Sequence, residues 1–158
     1  MLDRRGGAAT RRAAVFVISA DYERRTGGWI YDCRLLEEMR RRGWGIRELL
    51  VPAGFPAPNS AAVAATTSLL SALPDRTLVL SDHLVTSALP DLMAAETGRL
   101  LLAPIVHHPL ALEGSRGAAA SETVAQAERR ALSAAHRVIT TSSATARLLA
   151  ADYGIAAD

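Results

Sequence analysis

The sequence contains no lysine: its 18 basic residues are all arginine, set against 16 carboxylates for a formal net charge of +2. A near-balanced chain lacks the clustered positive charge that nucleic-acid binding draws on, so no nucleic-acid partner is expected. Cysteine is nearly absent, with Cys33 alone. One thiol excludes an internal disulfide framework and a CxxC metal site, and it fits a reducing compartment, so a cytoplasmic location is expected. No apolar run reaches the ~18 residues of a membrane span, and no apolar segment of signal-peptide type precedes the first strand. A GxGxxG turn and a Walker A motif are also missing, which argues against an unrelated doubly wound nucleotide-binding protein.

What is present is a chain of 158 residues, 49% hydrophobic. That length suits one domain burying roughly 70% of its unfolded surface. Residues 1–12 carry Arg4, Arg5, Arg11 and Arg12 around Gly6-Gly7 and read as a flexible basic tail, with peripheral contact to an anionic membrane surface as the sharper alternative.

Beyond the tail, strand and helix patterns alternate. Ala13 to Ala20 is a continuous apolar run with β-branched Val15, Val17 and Ile18, too short for an ordinary helix, and reads as a strand buried on both faces. After the polar loop Asp21 to Gly28, Ile30, Cys33, Leu36 and Met39 recur at three-residue spacing, with Arg34, Glu37, Glu38, Arg41 and Arg42 opposite, an amphipathic helix closed by Gly43. Trp44 to Val51 is a second strand; Ser60 caps an Ala-rich helix to Leu73; Thr77 to Leu80 is a short third strand ending at Ser81-Asp82. A helical region broken by Pro90 leads to a fourth strand, Leu100 to Val106, then a long loop from His107 to Ala120 and a helix from Ser121 to His136 with Val124 and Leu132 inward. Arg137 to Thr141 is the fifth strand, and Ser142 or Ser143 caps a helix that Gly154 ends. Five alternations predict an α/β fold: a doubly wound, mostly parallel Rossmann-like sheet in a three-layer α/β/α single domain.

In such a sheet, ligands meet the carboxyl ends of the strands. His107 and His108 follow the fourth strand directly, with Glu113 beyond them. They point opposite ways if the extended geometry persists, and His107 is the first choice for the cleft. Gly27-Gly28 at a strand-to-helix turn allows close backbone approach and offers a helix start to a phosphate, although a lone Gly-Gly is more often a plain turn. Glu113 is a candidate substrate-binding carboxylate, or a helix cap, or solvated. Ser142 and Thr145 read as the hydroxyl residues of a helix start, with Ser142 also placed to face the cleft. Asp82-His83 reads as a helix cap. A zinc site from His83, His107 and His108 has no supporting ligand spacing, so no metal is expected.

Three segments together resemble one family: Thr26-Gly27-Gly28 opening the first helix, Val106-His107-His108-Pro109-Leu110-Ala111-Leu112-Glu113 after the fourth strand, and Arg137-Val138-Ile139-Thr140-Thr141-Ser142-Ser143-Ala144-Thr145 with Asp152-Tyr153-Gly154-Ile155. From about Val15 onward the chain is similar to the amino-terminal, acceptor-side domain of a GT-B glycosyltransferase of family 4. The resemblance implies sugar transfer, with retention, from a nucleotide-diphosphate sugar co-substrate to an alcohol or glycan acceptor, with no tightly bound cofactor. It implies His107 and His108 near the transferred sugar as catalytic candidates and Gly27 and Gly28 near the donor phosphates. It also implies a carboxy-terminal, donor-binding domain that these residues do not contain, so the chain is expected to be inactive alone. The bare interdomain face would offer a route to a homodimer. The alternative is a non-catalytic Rossmann-like binding or interaction domain.

Overall fold

The structure, a computed structural model, describes residues 12–21, 26–113 and 118–156. The expected basic tail lies outside the described residues apart from Arg12, whose guanidinium sits 5.8 Å over the Trp44 ring.

The described elements run β1 (Ala13–Ser19), α1 (Gly27–Arg41), β2 (Gly45–Val51), α2 (Ser60–Ser71), β3 (Leu78–Asp82), α3 (His83–Ser87), α4 (Pro90–Glu96), β4 (Leu101–Val106), a 3-10 turn (Leu110–Leu112), α5 (Ala118–Ser133), β5 (Ile139–Thr140) and α6 (Ser143–Tyr153). The five strands form one sheet in the order β2-β1-β3-β4-β5, and every pairing is parallel. The α/β, Rossmann-like three-layer fold expected from the sequence is the fold observed.

Alternation along β1 shows why the strand is apolar on both sides. Val15 and Val17 join a core with Leu70, Leu73, Val85, Leu92 and Ala131, whereas Ala14 and Phe16 join a second core with Leu36 of α1. The same period governs β4: Ala103 and Ile105 face the α1 side, Leu102 faces the opposite side, and Val106 meets α5 and α6 through Leu132, Leu149 and Tyr153. His107 therefore inherits the α1 side.

Several boundaries differ from the sequence expectation. β3 runs on to Asp82, because Ser81 and Asp82 still pair with Pro104 and Ile105 of β4; ladder bonds use the backbone and are indifferent to side-chain polarity. β5 shrinks to Ile139–Thr140. Asn59, not Ser60, caps α2, accepting the Ala62 N–H at 2.9 Å. The fifth helix begins at Ala118 and ends at Ser133. On α1, Ile30 is exposed and Asp32 is buried, so the inner face is rotated from the one the apolar spacing marked.

Candidate active site

Because all strands point one way, their turns into helices open on a single edge, and the candidate groups collect there. The order of the sheet reverses between β1 and β3, the place where open α/β sheets bind ligands.

His107 is the centre of this edge. Its backbone carbonyl accepts from Thr145 Oγ1 at 3.1 Å, which ties the end of β4 to the start of α6. Its ring lies against Gly28: a Cβ on that glycine would stand 3.0 Å from Cδ2 and 3.3 Å from Nε2. Gly27 has open space instead. Gly28 is thus needed for the packing of an imidazole, a use the sequence reading did not assign. At the same helix start, the Thr26 hydroxyl accepts the Trp29 N–H at 3.2 Å.

Around the ring stand three more groups. Asp32, 1% exposed, brings Oδ1 to 3.1 Å from His107 Nε2, close enough for an ion pair but off the line of a hydrogen bond. Tyr31 meets the ring edge-on at 5.5 Å between centroids, and His83 does so at 5.9 Å. Gly28 and Asp32 are four residues apart and so share one helix face.

His83, the first residue of α3, is buried and has its Nδ1 3.3 Å from Asp82 Oδ1 and its Nε2 3.9 Å from Glu113 Oε1. Burial disfavours its imidazolium, yet Asp82, with Glu128 and Glu113 farther off, outweighs burial and carries its pKa above the ordinary value. Asp82 also caps α3, accepting the Leu84 N–H at 2.7 Å. Ligand atoms of Asp32, Asp82 and His107 lie within 4.8 Å of one another, the one such set among the described residues. Two buried carboxylates this close call for positive charge nearby. Each has an imidazole nitrogen beside it, His107 Nε2 at Asp32 and His83 Nδ1 at Asp82.

The loop that bears His107 is held from behind by Glu128. This α5 side chain is completely buried. It accepts from Ser87 Oγ at 3.0 Å, Leu110 N at 3.0 Å, Ala111 N at 3.4 Å and the Tyr153 hydroxyl at 3.1 Å. Burial first, and the Glu128 carboxylate second, raise the pKa of Tyr153. Glu128 was not among the residues expected at the site, although it stands midway between the inward residues Val124 and Leu132, four positions from each. A carboxylate on an apolar stripe was the available signal.

Next to the cluster, a cavity of about 440 Å³ opens between the ends of β1 and β3. Ser19, Asp21, Thr26 and Asp82 line its polar side, and Phe55 and Leu84 are among its apolar walls. Asp21 is fastened in place, accepting from Gly54 N at 3.0 Å and from the Ser19 hydroxyl.

The remaining candidates are distributed as follows. His108 is exposed. Glu113 is partly exposed, beside His83, and follows the 3-10 turn. Ser142 caps α6, accepting Thr145 N at 3.0 Å and bonding the Thr145 hydroxyl at 2.9 Å. Gly28, Thr145 and His107 are brought into one constellation, with Asp32 and His83 added to it. No family model and no curated protein matches this chain.

Proposed function

We propose that this chain is the acceptor-side half of a retaining glycosyltransferase, working with a second α/β domain that holds most of a nucleotide-diphosphate sugar. The observation that carries the reading is the seating of His107 at the end of β4, against Gly28 at the start of α1. A hydrogen-bonding imidazole at a strand end and a helix start beside it suit a sugar hydroxyl and the phosphates behind it. The cavity between β1 and β3 would take the acceptor. Its carboxylates and hydroxyls match a polyhydroxylated alcohol, and its apolar walls match a ring face or an alkyl part.

The edge is also where apolar side chains stand exposed. Ile30 and Tyr31 lie in the first turns of α1, Leu112 closes the 3-10 turn, and Leu50 is the penultimate residue of β2. That is the placement expected of a face turned toward another domain.

The leaving diphosphate needs positive or dipolar stabilisation, and the start of α1 offers a share of it. Transfer of radiolabelled sugar would be assayed with a panel of nucleotide-diphosphate sugars and alcohol acceptors, using a protein that joins this chain to a donor-binding domain. Turnover lost in His107→Ala supports the proposal. No turnover across the panel, with nucleotide-sugar binding also absent, favours the non-catalytic binding domain instead.

A further inference from the structure

A buried carboxylate is stable only when it is paired or hydrogen-bonded, and the protein surrounds His107 in a way that gives Asp32 a specific task. Contact between Gly28 and the ring runs along Cδ2, Nε2 and Cγ. The Cε1–Nδ1 edge is therefore the one turned from the helix start. Nε2 is the atom that faces Asp32 Oδ1, 3.1 Å away. Tyr31 and His83 meet the ring edge-on, and Thr145 holds the backbone behind it. Helix α1 thus supplies Gly28, Tyr31 and Asp32 to grip one imidazole, with the carboxylate set on a single ring nitrogen.

We propose that Asp32 is a positioning residue for His107: it keeps the proton of the neutral ring on Nε2 and so makes Nδ1 a hydrogen-bond acceptor for a ligand hydroxyl. Which nitrogen carries the proton of a histidine follows from the bond made by the other. At 3.1 Å from Oδ1, Nε2 is the ring nitrogen whose proton that carboxylate would hold. The ring then presents a lone pair at Nδ1, and the chemical class that matches it is an O–H donor such as a sugar or alcohol. In this role Asp32 acts on the ligand through the ring. The identity of that ligand as transferred sugar or acceptor rests on the transferase reading above, whereas the tautomer does not.

The test reads the ring directly. Long-range proton–nitrogen spectra of the histidine-labelled chain, taken above neutral pH, should show protonated Nε2 and unprotonated Nδ1 at His107. The Asp32→Asn variant should move His107 toward a mixture of tautomers, and Gly28→Ala should perturb the ring while leaving the carboxylate in place. In a competent two-domain enzyme, Asp32→Asn is expected to lower kcat about 10- to 100-fold with KM for the donor changed less than about threefold. A proton on Nδ1 in the unsubstituted chain overturns the proposal, and that measurement needs no variant to fold. An unchanged tautomer in a folded Asp32→Asn variant also overturns it. So does stoichiometric capture of added Zn²⁺ or Mn²⁺ that shifts His107, because the carboxylate would then serve a metal. If the spectra agree and no sugar transfer is found, the transferase reading falls and the tautomer assignment stands.

Discussion

A carboxyl group placed on the inner stripe of a helix has to be bonded, and Glu128 takes hydrogen bonds from α3, the 3-10 turn and α6. Removing it orphans two backbone N–H groups and two hydroxyls, each costing ~1–3 kcal/mol when buried. Glu128→Leu should therefore lose about 3 kcal/mol or more, read as a lower midpoint of urea unfolding, and Glu128→Gln should lose less. His83 calls for a different experiment, because its pKa is raised on folding. The groups that face it are Asp82, Glu113, Glu128 and the His107 ring. A raised pKa means that the folded state holds the proton more tightly than the unfolded chain. The stabilisation is therefore complete below the unfolded value, ~6.5, and fades as pH rises through the higher folded value. Thermal unfolding midpoints should fall on the alkaline side of neutrality. The fall should be smaller in His83→Gln, and an identical pH profile in the variant would show that His83 contributes nothing.

At the scale of elements, α1 shows how packing and sequence pattern part company. Gly27 and Gly28 look equivalent in sequence, but only Gly28 is occupied, by the His107 ring. Gly27→Ala should stabilise by up to ~1 kcal/mol, since alanine lowers the entropy of the unfolded chain and fits open space. Gly28→Ala should forfeit that gain and shift the His107 resonances, because its Cβ would stand 3.0 Å from Cδ2; thermal melts and nuclear magnetic resonance of the pair decide it. Much of the fold was legible because strand and helix periods are local: the both-face burial of β1 and the turn at Gly154, in the left-handed region at φ 67°, follow from residues next to one another. Candidate site residues were legible where they ended a strand, as at His107. Asp32 was not, since a lone carboxylate near an apolar stripe reads as solvated until the ring it pairs with, on a distant strand, is brought to it. Polar Ser81 and Asp82 hid the last pairs of β3 for a related reason: the backbone ladder that holds them leaves no trace in side-chain type.

On the scale of the whole molecule, a parallel sheet has two unlike edges, and among the described residues the large exposed apolar side chains lie by one of them. Leu112 is 53% and Leu50 63% exposed, and with Ile30 and Tyr31 they flank the carboxyl edge that carries the histidine–carboxylate cluster. Single exposed leucines are ordinary, but a set of large apolar groups around one edge is the pattern expected of a surface that another surface covers. A second copy of these residues is one surface that would cover that edge. Sedimentation equilibrium is expected to show concentration-dependent self-association of the chain, weakened at least about tenfold in the Ile30→Glu, Leu112→Glu double variant, since each charge would have to be desolvated on contact. Glutamate at an exposed position on the opposite edge, such as Arg76→Glu in the β3 entry turn, should leave association unchanged. A chain that stays monomeric at millimolar concentration would show that these side chains are merely exposed.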